Sequence, residues 1–532
     1  MLQVNSLSMI FPDKKLFEDV DLVFSPGNCY GIIGANGAGK TTFLKILSGE
    51  KEPTKGSVTM DKNARMSKLK QDHYAYEDQV VLDLVIMGNK KLYDIAKAKE
   101  AIYMKADFSD QDGMKAAQLE ADFAEMGGYE AEAEAATLLQ GLGIDVSKHQ
   151  MLMADLKEAD KIKVLLAQAL FDSPDILLLD EPTNGLDIKA ILWLQDFLMD
   201  FPGIVIVVSH DRYFLNEVCT MTVDVDFGKI TLFVGNYDFW YHSSQLALKM
   251  AKEQNRKKEE KAKELKDFIA RFSANKSKAR QATSRRKLLE KISLDDIKPS
   301  TRRYPFVGFP LSREPGNDIL IVDNLSIKDD QKKLIDSLSF IVNKNDKIAF
   351  IGNDLAISKL FEVLNGKTTD YQGSFKFGQT ISKDYFPKDN KEYFQDLDLN
   401  LIDWMRQYSE EQSEIEMRGY LGKMLFSGDQ ALKKANVLSG GERVRMMFLK
   451  MMVQPSNLLF FDQMTNHLDL ESIEAVNKGL EAYKGNLLFS SHDSQIISTV
   501  ANRIIEIFED GTYRDEEISY QDYIDKYYKE DK

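Results

Sequence analysis

Gly34-Ala35-Asn36-Gly37-Ala38-Gly39-Lys40-Thr41 lies between the apolar run Cys29-Tyr30-Gly31-Ile32-Ile33 and the helical pattern Thr42-Phe43-Leu44-Lys45-Ile46-Leu47. A strand, a glycine-rich turn and a helix in that order make a phosphate-binding loop. Gly34, Gly37 and Gly39 let the backbone wrap closely around an anion, with amides pointing inward at a helix N-terminus. Asn36 and Ala38 complete the loop, and Thr42 carries it into the helix. Lys40 supplies a point charge for β- and γ-phosphates, and Thr41 a hydroxyl for Mg²⁺.

Working outward, Ile176-Leu177-Leu178-Leu179-Asp180-Glu181 reads as a buried strand ending in two carboxylates. Asp180 is expected to support the metal. Glu181 is placed to take a proton from an attacking water. His210 follows the next apolar strand and is expected to hold the γ-phosphate or the water. Gln71 follows a turn and is expected to contact metal and water. Phe11, upstream of the loop, is expected to stack on a base such as adenine.

The chain is duplicated. Val4 to Lys15 matches Val322 to Lys333 at an offset of 318, and Leu156 to His210 matches Leu438 to His492 at an offset of 282. A period of a whole domain means two copies of one enzyme domain, not a solenoid. The copies have lost different parts. The second keeps Leu438-Ser439-Gly440-Gly441-Glu442, where the first has Leu156-Lys157-Glu158-Ala159-Asp160.

Conversely, Gly352-Asn353-Asp354-Leu355-Ala356-Ile357-Ser358-Lys359 replaces the phosphate loop in the second copy. It is one residue shorter, so either Ile357 or Ser358 takes the place of Lys40. Asp329 stands where Phe11 stands, Pro387 is expected at the place of Gln71, and Gln463 replaces Glu181. An amide cannot act as a carboxylate base. If the copies pack head to tail, one composite site is complete and the other is broken on both faces.

Fold class and bounds follow from composition. Short β-branched runs alternate with helical stretches in residues 1–240 and 304–532, which predicts two α/β domains of the P-loop NTPase kind. The hydrophobic fraction of 43% supports globular cores, and no apolar run approaches a bilayer span. The N-terminus lacks a signal-peptide pattern. Cys29 and Cys219 read as core thiols in a reducing, cytoplasmic setting.

Residues 241–303 form a separate linker, predicted as a helical hairpin turning near Ser273–Lys278 and ended by Pro299. From Lys249 to Lys291 sixteen Lys and Arg face six Asp and Glu, a balance of +10 in a chain of net charge −15. From Arg271 to Lys287 seven bases stand without an acid: Arg271, Lys276, Lys278, Arg280, Arg285, Arg286 and Lys287. A solvated helix face interleaves both signs; an acid-free tip suits a polyanion. Nothing there marks base-specific reading, so RNA phosphate and shape are the expected target. The first copy also carries about 34 extra residues, placed within 88–130, with Ser109-Asp110-Gln111-Asp112 resembling a helix start.

The phosphate loop, the Asp180-Glu181 strand end and Leu438-Ser439-Gly440-Gly441-Glu442 together resemble the ATP-binding cassette superfamily. Two cassettes in one chain, joined by a charged helical connector, look like its ABC-F class. Asp180-Glu181-Pro182-Thr183-Asn184-Gly185-Leu186-Asp187 and Asp462-Gln463-Met464-Thr465-Asn466-His467-Leu468-Asp469 resemble that class's Walker B and D-loop sequences.

The resemblance implies ATP and Mg²⁺ as ligands and an intramolecular sandwich within a monomer. Each ATP would lie between the loop of one cassette and the signature of the other, with Ser439, Gly440, Gly441 and Glu442 completing the first site. It further implies a cytosolic ATPase acting at the ribosomal exit site, with the connector meeting ribosomal RNA and P-site tRNA. The extra segment occupies the position of the family's arm. No membrane and no DNA partner is expected. The competing reading is the ATPase subunit of a membrane exporter, which the basic connector suits poorly.

Overall fold

A computed structural model describes residues 1–529, except 13–14, 36, 71, 73, 106, 227, 273–283, 285, 287–301, 303, 330–331, 395–397 and 467. Each half is built on a six-stranded sheet. In the first half the order is Met66–Lys68, Ile176–Asp180, Ile204–Val208, Asn28–Ile33, Met221–Asp226, Lys229–Val234, with only the last strand antiparallel. The second half repeats that order with Lys383–Phe386, Leu458–Phe461, Asn486–Ser490, Lys347–Gly352, Arg503–Ile507 and Tyr513–Glu516. These are two α/β P-loop cassettes. A three-stranded antiparallel sheet covers part of each: Lys15–Phe24, Leu2–Ile10 and Lys55–Met60 in the first, and Lys332–Val342, Leu320–Asp329 and Gln372–Phe377 in the second.

The central strands are mostly apolar because both faces of a parallel sheet are covered. Ile176 and Leu178 enter the core under the antiparallel sheet, while Leu177 and Leu179 enter the helical core on the other face. That alternation is the two-residue period of a strand. Apolar contact also crosses between the halves. Leu470 of the second half is buried in the first half's helical core, and Ile188 and Leu192 pack against the second half's core. Helices Arg212–Val218 and Ser494–Val500, equivalent in the two copies, touch each other.

In the first half, helices Lys90–Tyr103 and Asp110–Glu125 form a hairpin. Ser109 opens the second helix with a capping box closed by Asp112, which satisfies amides a helix start leaves unpaired. Among the described residues the second half has no such hairpin; seven residues, 407–413, join Leu401–Arg406 to Glu414–Lys423. The linker begins with one helix, Tyr237–Phe272, of 36 residues. At the helical rise this is roughly 54 Å long. The expected return helix lies mostly outside the described residues, as does Pro299. Among the described residues no helix is long and apolar enough to cross a membrane.

Candidate nucleotide site

Strand Asn28–Ile33 delivers the chain to Gly34, where a Cβ would sit 2.6 Å from the Val225 carbonyl oxygen, so no side chain fits. Gly39 adopts φ 111° and starts helix Lys40–Leu47. Lys40 is buried, and its Nζ donates to the Gly34 carbonyl at 2.7 Å, folded over the loop. Burial lowers its pKa. Thr41 lies against Asp180, whose carboxyl is raised by burial and partly relieved by that hydroxyl.

Glu181 sits at φ 54°, a backbone that holds the carboxylate back toward the sheet. Its amide donates to Val208 at 2.8 Å, and its Oε2 accepts from the His210 amide at 3.1 Å. Burial pushes the carboxyl up to about 7, with the Asp180 charge adding to the rise. His210 Nε2 lies 3.4 Å from Glu181 Oε1. Burial and then Lys40 push that imidazole down to about 4, so near neutrality the contact involves an uncharged ring. A base near 7 beside a neutral histidine is an arrangement suited to taking a proton from water.

Phe11, Gly37, Gly39, Lys40, Thr41 and Thr42 wall one open cavity of about 980 Å³, together with Asp180, Glu181 and His210. The Phe11 ring is exposed, with Lys51 Nζ 4.5 Å from its centre. Gly34 and Ala38 lie in the loop behind, while Asn36 and Gln71 lie outside the described residues. The opposite wall comes from the second half: Thr465, Asn466, Leu468 and His492. Ser439, Gly440, Gly441 and Glu442 are not among the residues walling this cavity. Ser439 caps helix Gly440–Val453, its amide donating to Glu442 Oε2 at 2.9 Å. Ser439 itself is exposed.

Comparison with known proteins agrees with this geometry. A family described as ABC transporter matches twice, at residues 17–184 and 335–466, and a second family of the same description matches 223–309. The chain is 59% identical over 527 residues to the Uncharacterized ABC transporter ATP-binding protein YkpA of Bacillus subtilis (strain 168), covering 99% of this chain and 97% of that one. It is 43% identical to the Probable ATP-binding protein YbiT of Escherichia coli O157:H7, covering 98% and 99%. It is 30% identical to ABC transporter F family member 2 of Arabidopsis thaliana, covering 99% and 79%. This chain belongs to the ABC-F family of ATP-binding cassette proteins. Its fold is shared by a solved structure titled as the complex of archaeal ribosomal stalk protein aP1 and archaeal ribosome recycling factor aABCE1, at TM-score 0.61 and 15% identity over 99% of this chain and 92% of that one.

In this ABC-F protein the second cassette departs from the first at its loop. Gly352 repeats the tight position of Gly34: its Cβ would lie 2.2 Å from the Ile507 carbonyl oxygen. Then, where the first cassette has a loop, helix Asp354–Leu364 begins at once, capped by Asn353. Gly49 and Gly366, at φ 75° and 74°, end the two equivalent helices. Counting back from them puts Ile357 at the place of Lys40 and Ser358 at the place of Thr41. Ser358 lies against Asp462 as Thr41 lies against Asp180. Of the two alternatives open from sequence, it is the buried, uncharged Ile357 that stands at the place of Lys40.

The expectation for Pro387 is corrected. Lys68 pairs with Leu178 and Tyr385 with Phe460, at equivalent rungs of the two sheets. The position of Gln71 therefore falls on Lys388, and Pro387 on Lys70. Gln463 keeps the left-handed backbone of Glu181, at φ 49°, with an amide in place of the carboxylate. Lys157 starts helix Glu158–Leu170 without a side-chain cap, and its Nζ lies 3.9 Å from Glu509 of the second cassette.

Of the basic tip, Arg271 lies in the last turn of helix Tyr237–Phe272 and Arg286 is exposed. Lys276, Lys278, Arg280, Arg285 and Lys287 lie outside the described residues. Sequence reasoning missed Arg302 at the connector's far end. Its guanidinium reaches Asp224 at 2.6 Å and Asp226 at 3.2 Å in the first cassette, and Glu471 at 2.9 Å in the second. The same group lies 4.7 Å over the Trp240 ring. Nearby, Arg212 of the first cassette pairs with Glu474 of the second. The contacts are between residues far apart in sequence, and no local pattern announces them.

Proposed function

We propose that this ABC-F protein hydrolyses ATP at one composite site and uses that cycle as a translation factor on the ribosome. The observation that carries the reading is the contrast between equivalent positions. Lys40, Thr41 and a Glu181 pushed up to about 7 share one cavity, while Ile357 and Gln463 occupy the same places in the other cassette.

In this reading the loop amides and Lys40 bind the β- and γ-phosphates, and Phe11 takes the adenine face. Closure brings Ser439 and the amides of Gly440 and Gly441 onto the γ-phosphate from the other side. Glu442 holds that turn through its capping box with Ser439. The Thr41 hydroxyl and the Asp180 carboxylate are hard oxygen donors that suit Mg²⁺, with Gln71 as a further oxygen. Mg²⁺ would neutralise charge on the phosphates and the leaving group. Glu181 takes the proton of the attacking water, and neutral His210 orients that water or the γ-phosphate.

The ribosomal part rests on charge. Acidic cassettes are repelled by RNA, so the +10 segment between Lys249 and Lys291 supplies the attraction locally. Arg271, Lys276, Lys278, Arg280, Arg285, Arg286 and Lys287 would contact ribosomal RNA and P-site tRNA beside the exit site. Helix Tyr237–Phe272 is long enough to carry them well away from the cassettes. The test is sedimentation of the Glu181→Gln variant with ribosomes in Mg²⁺ and ATP. Co-sedimentation that depends on ATP supports the reading; the same distribution with and without ATP overturns it.

A further inference from the structure

The second cassette keeps histidine and strand-end geometry around a centre that its loop no longer prepares for phosphate. Asp354, the first residue of helix Asp354–Leu364, occupies that centre. Its Oδ1 accepts from Gln463 Nε2 at 3.0 Å. Its Oδ2 lies 3.1 Å from His492 Nε2 and 3.4 Å from Lys388 Nζ. These three partners stand at the positions of Glu181, His210 and Gln71, the side chains that in the first cassette are proposed to address the γ-phosphate and its water. No comparable side chain enters the first cassette's loop among the described residues, and there His210 turns to Glu181 instead. Burial opposes ionisation of Asp354, yet His492 and Lys388 hold its carboxyl below the usual range.

The partners of Asp354 lead directly to the other site. The Gln463 backbone carbonyl accepts from the Asn466 amide at 3.3 Å, and Thr465 Oγ1 lies 3.1 Å from Ser491 Oγ, next to His492. Thr465, Asn466, Leu468 and His492 belong to the second cassette's wall of the cavity that holds Lys40 and Glu181. We propose that Asp354 is a built-in anion that stands in for a γ-phosphate, holding Gln463, Lys388 and His492 and thereby positioning Thr465, Asn466 and Leu468 against the first cassette's hydrolytic site. This rests on the one-site reading above and deepens it. Asp354 is a positioning residue, acting through Gln463, His492 and Lys388. The second cassette is held in a phosphate-bound arrangement by its own chain, so hydrolysis at the first site does not wait on a second ATP.

The experiment measures bound ATP per chain and single-turnover hydrolysis in wild type, Asp354→Asn and Asp354→Ala, with and without added inorganic sulfate at fixed ionic strength. The expected result is one ATP in all three proteins. Hydrolysis slows by about tenfold in both variants, a change that corresponds to ~1.4 kcal/mol, while ATP affinity stays within about twofold, because only a positioning contact is lost. Sulfate restores Asp354→Ala, whose vacated space leaves the amide, imidazole and ammonium facing an anion-sized gap. Asp354→Asn keeps the size of the side chain and so guards against a folding defect. Wild-type rates in both variants overturn the inference. So does a slow Asp354→Ala that sulfate leaves slow, since that is what a merely structural helix residue would give. Two ATP in the wild type would instead overturn the one-site reading.

Discussion

The position of Glu181 makes the pH dependence of hydrolysis diagnostic. Burial lifts its carboxyl from an ordinary value of 4.5 to about 7. The pH profile of kcat/KM reports ionisations of the free enzyme, so this is the quantity to measure. A base with that pKa is about nine-tenths ionised at about pH 8 and about one-tenth at about pH 6, and kcat/KM should fall about tenfold between them. An ordinary carboxylate would give a flat profile over the same range. The sign for stability is opposite to that for activity. Because the folded pKa lies above the unfolded one, Glu181 stabilises the fold below pH 4.5, and that contribution is lost as pH rises through about 7. The interval corresponds to ~3 kcal/mol. Glu181→Gln should therefore be inactive yet more stable than wild type at alkaline pH, with the gap closing in acid. The assay is steady-state phosphate release across the pH series at saturating Mg²⁺, with thermal unfolding of both proteins alongside. A flat kcat/KM profile, or a stability gap that widens in acid, would refute the reasoning.

Lys40→Ala and Ser439→Arg should each lower kcat/KM by on the order of 10²–10³, while Ser358→Ala and Lys157→Ala leave it within about twofold, as read by phosphate release. Arg302→Ala leaves Asp224, Asp226 and Glu471 buried without their shared cation; denaturant unfolding should show a loss of about 3–5 kcal/mol, whereas a loss below about 1 kcal/mol would mean the clasp is screened by water. Reversing Lys276, Lys278, Arg280, Arg285 and Arg286 to Glu should leave intrinsic ATPase intact and flatten the log–log salt slope of ribosome binding by roughly 3–5 units. An unchanged slope would mark the charge run as a solvated helix face.

Much of the cassette fold could be read because its signals are local. The glycine loop, the apolar strand ending at Asp180 and the offset between the copies each lie within a few contiguous residues. The Ser109 capping box is equally local, since its two partners are three positions apart. What could not be read depends on register or on contact across the chain. A deleted loop residue leaves Ile357 and Ser358 equivalent on paper, and only the helix end at Gly366 separates them. Strand pairing, not alignment of unlike residues, carries the position of Gln71 to Lys388 instead of Pro387. Asp354 gains its role only from contact with Gln463, Lys388 and His492, which lie 34 to 138 positions away in the chain. Arg302 gathers carboxylates from positions 224, 226 and 471, a separation that no periodicity encodes.

The claim that one site works and the other does not is tested most directly by the nucleotide content of the Glu181→Gln variant after saturation with Mg²⁺ and ATP and removal of free ligand. In the second cassette Ile357 stands at the place of Lys40 and Gln463 at the place of Glu181. The account predicts one ATP per chain and no ADP. Two nucleotides per chain, or any stoichiometric ADP, would contradict it.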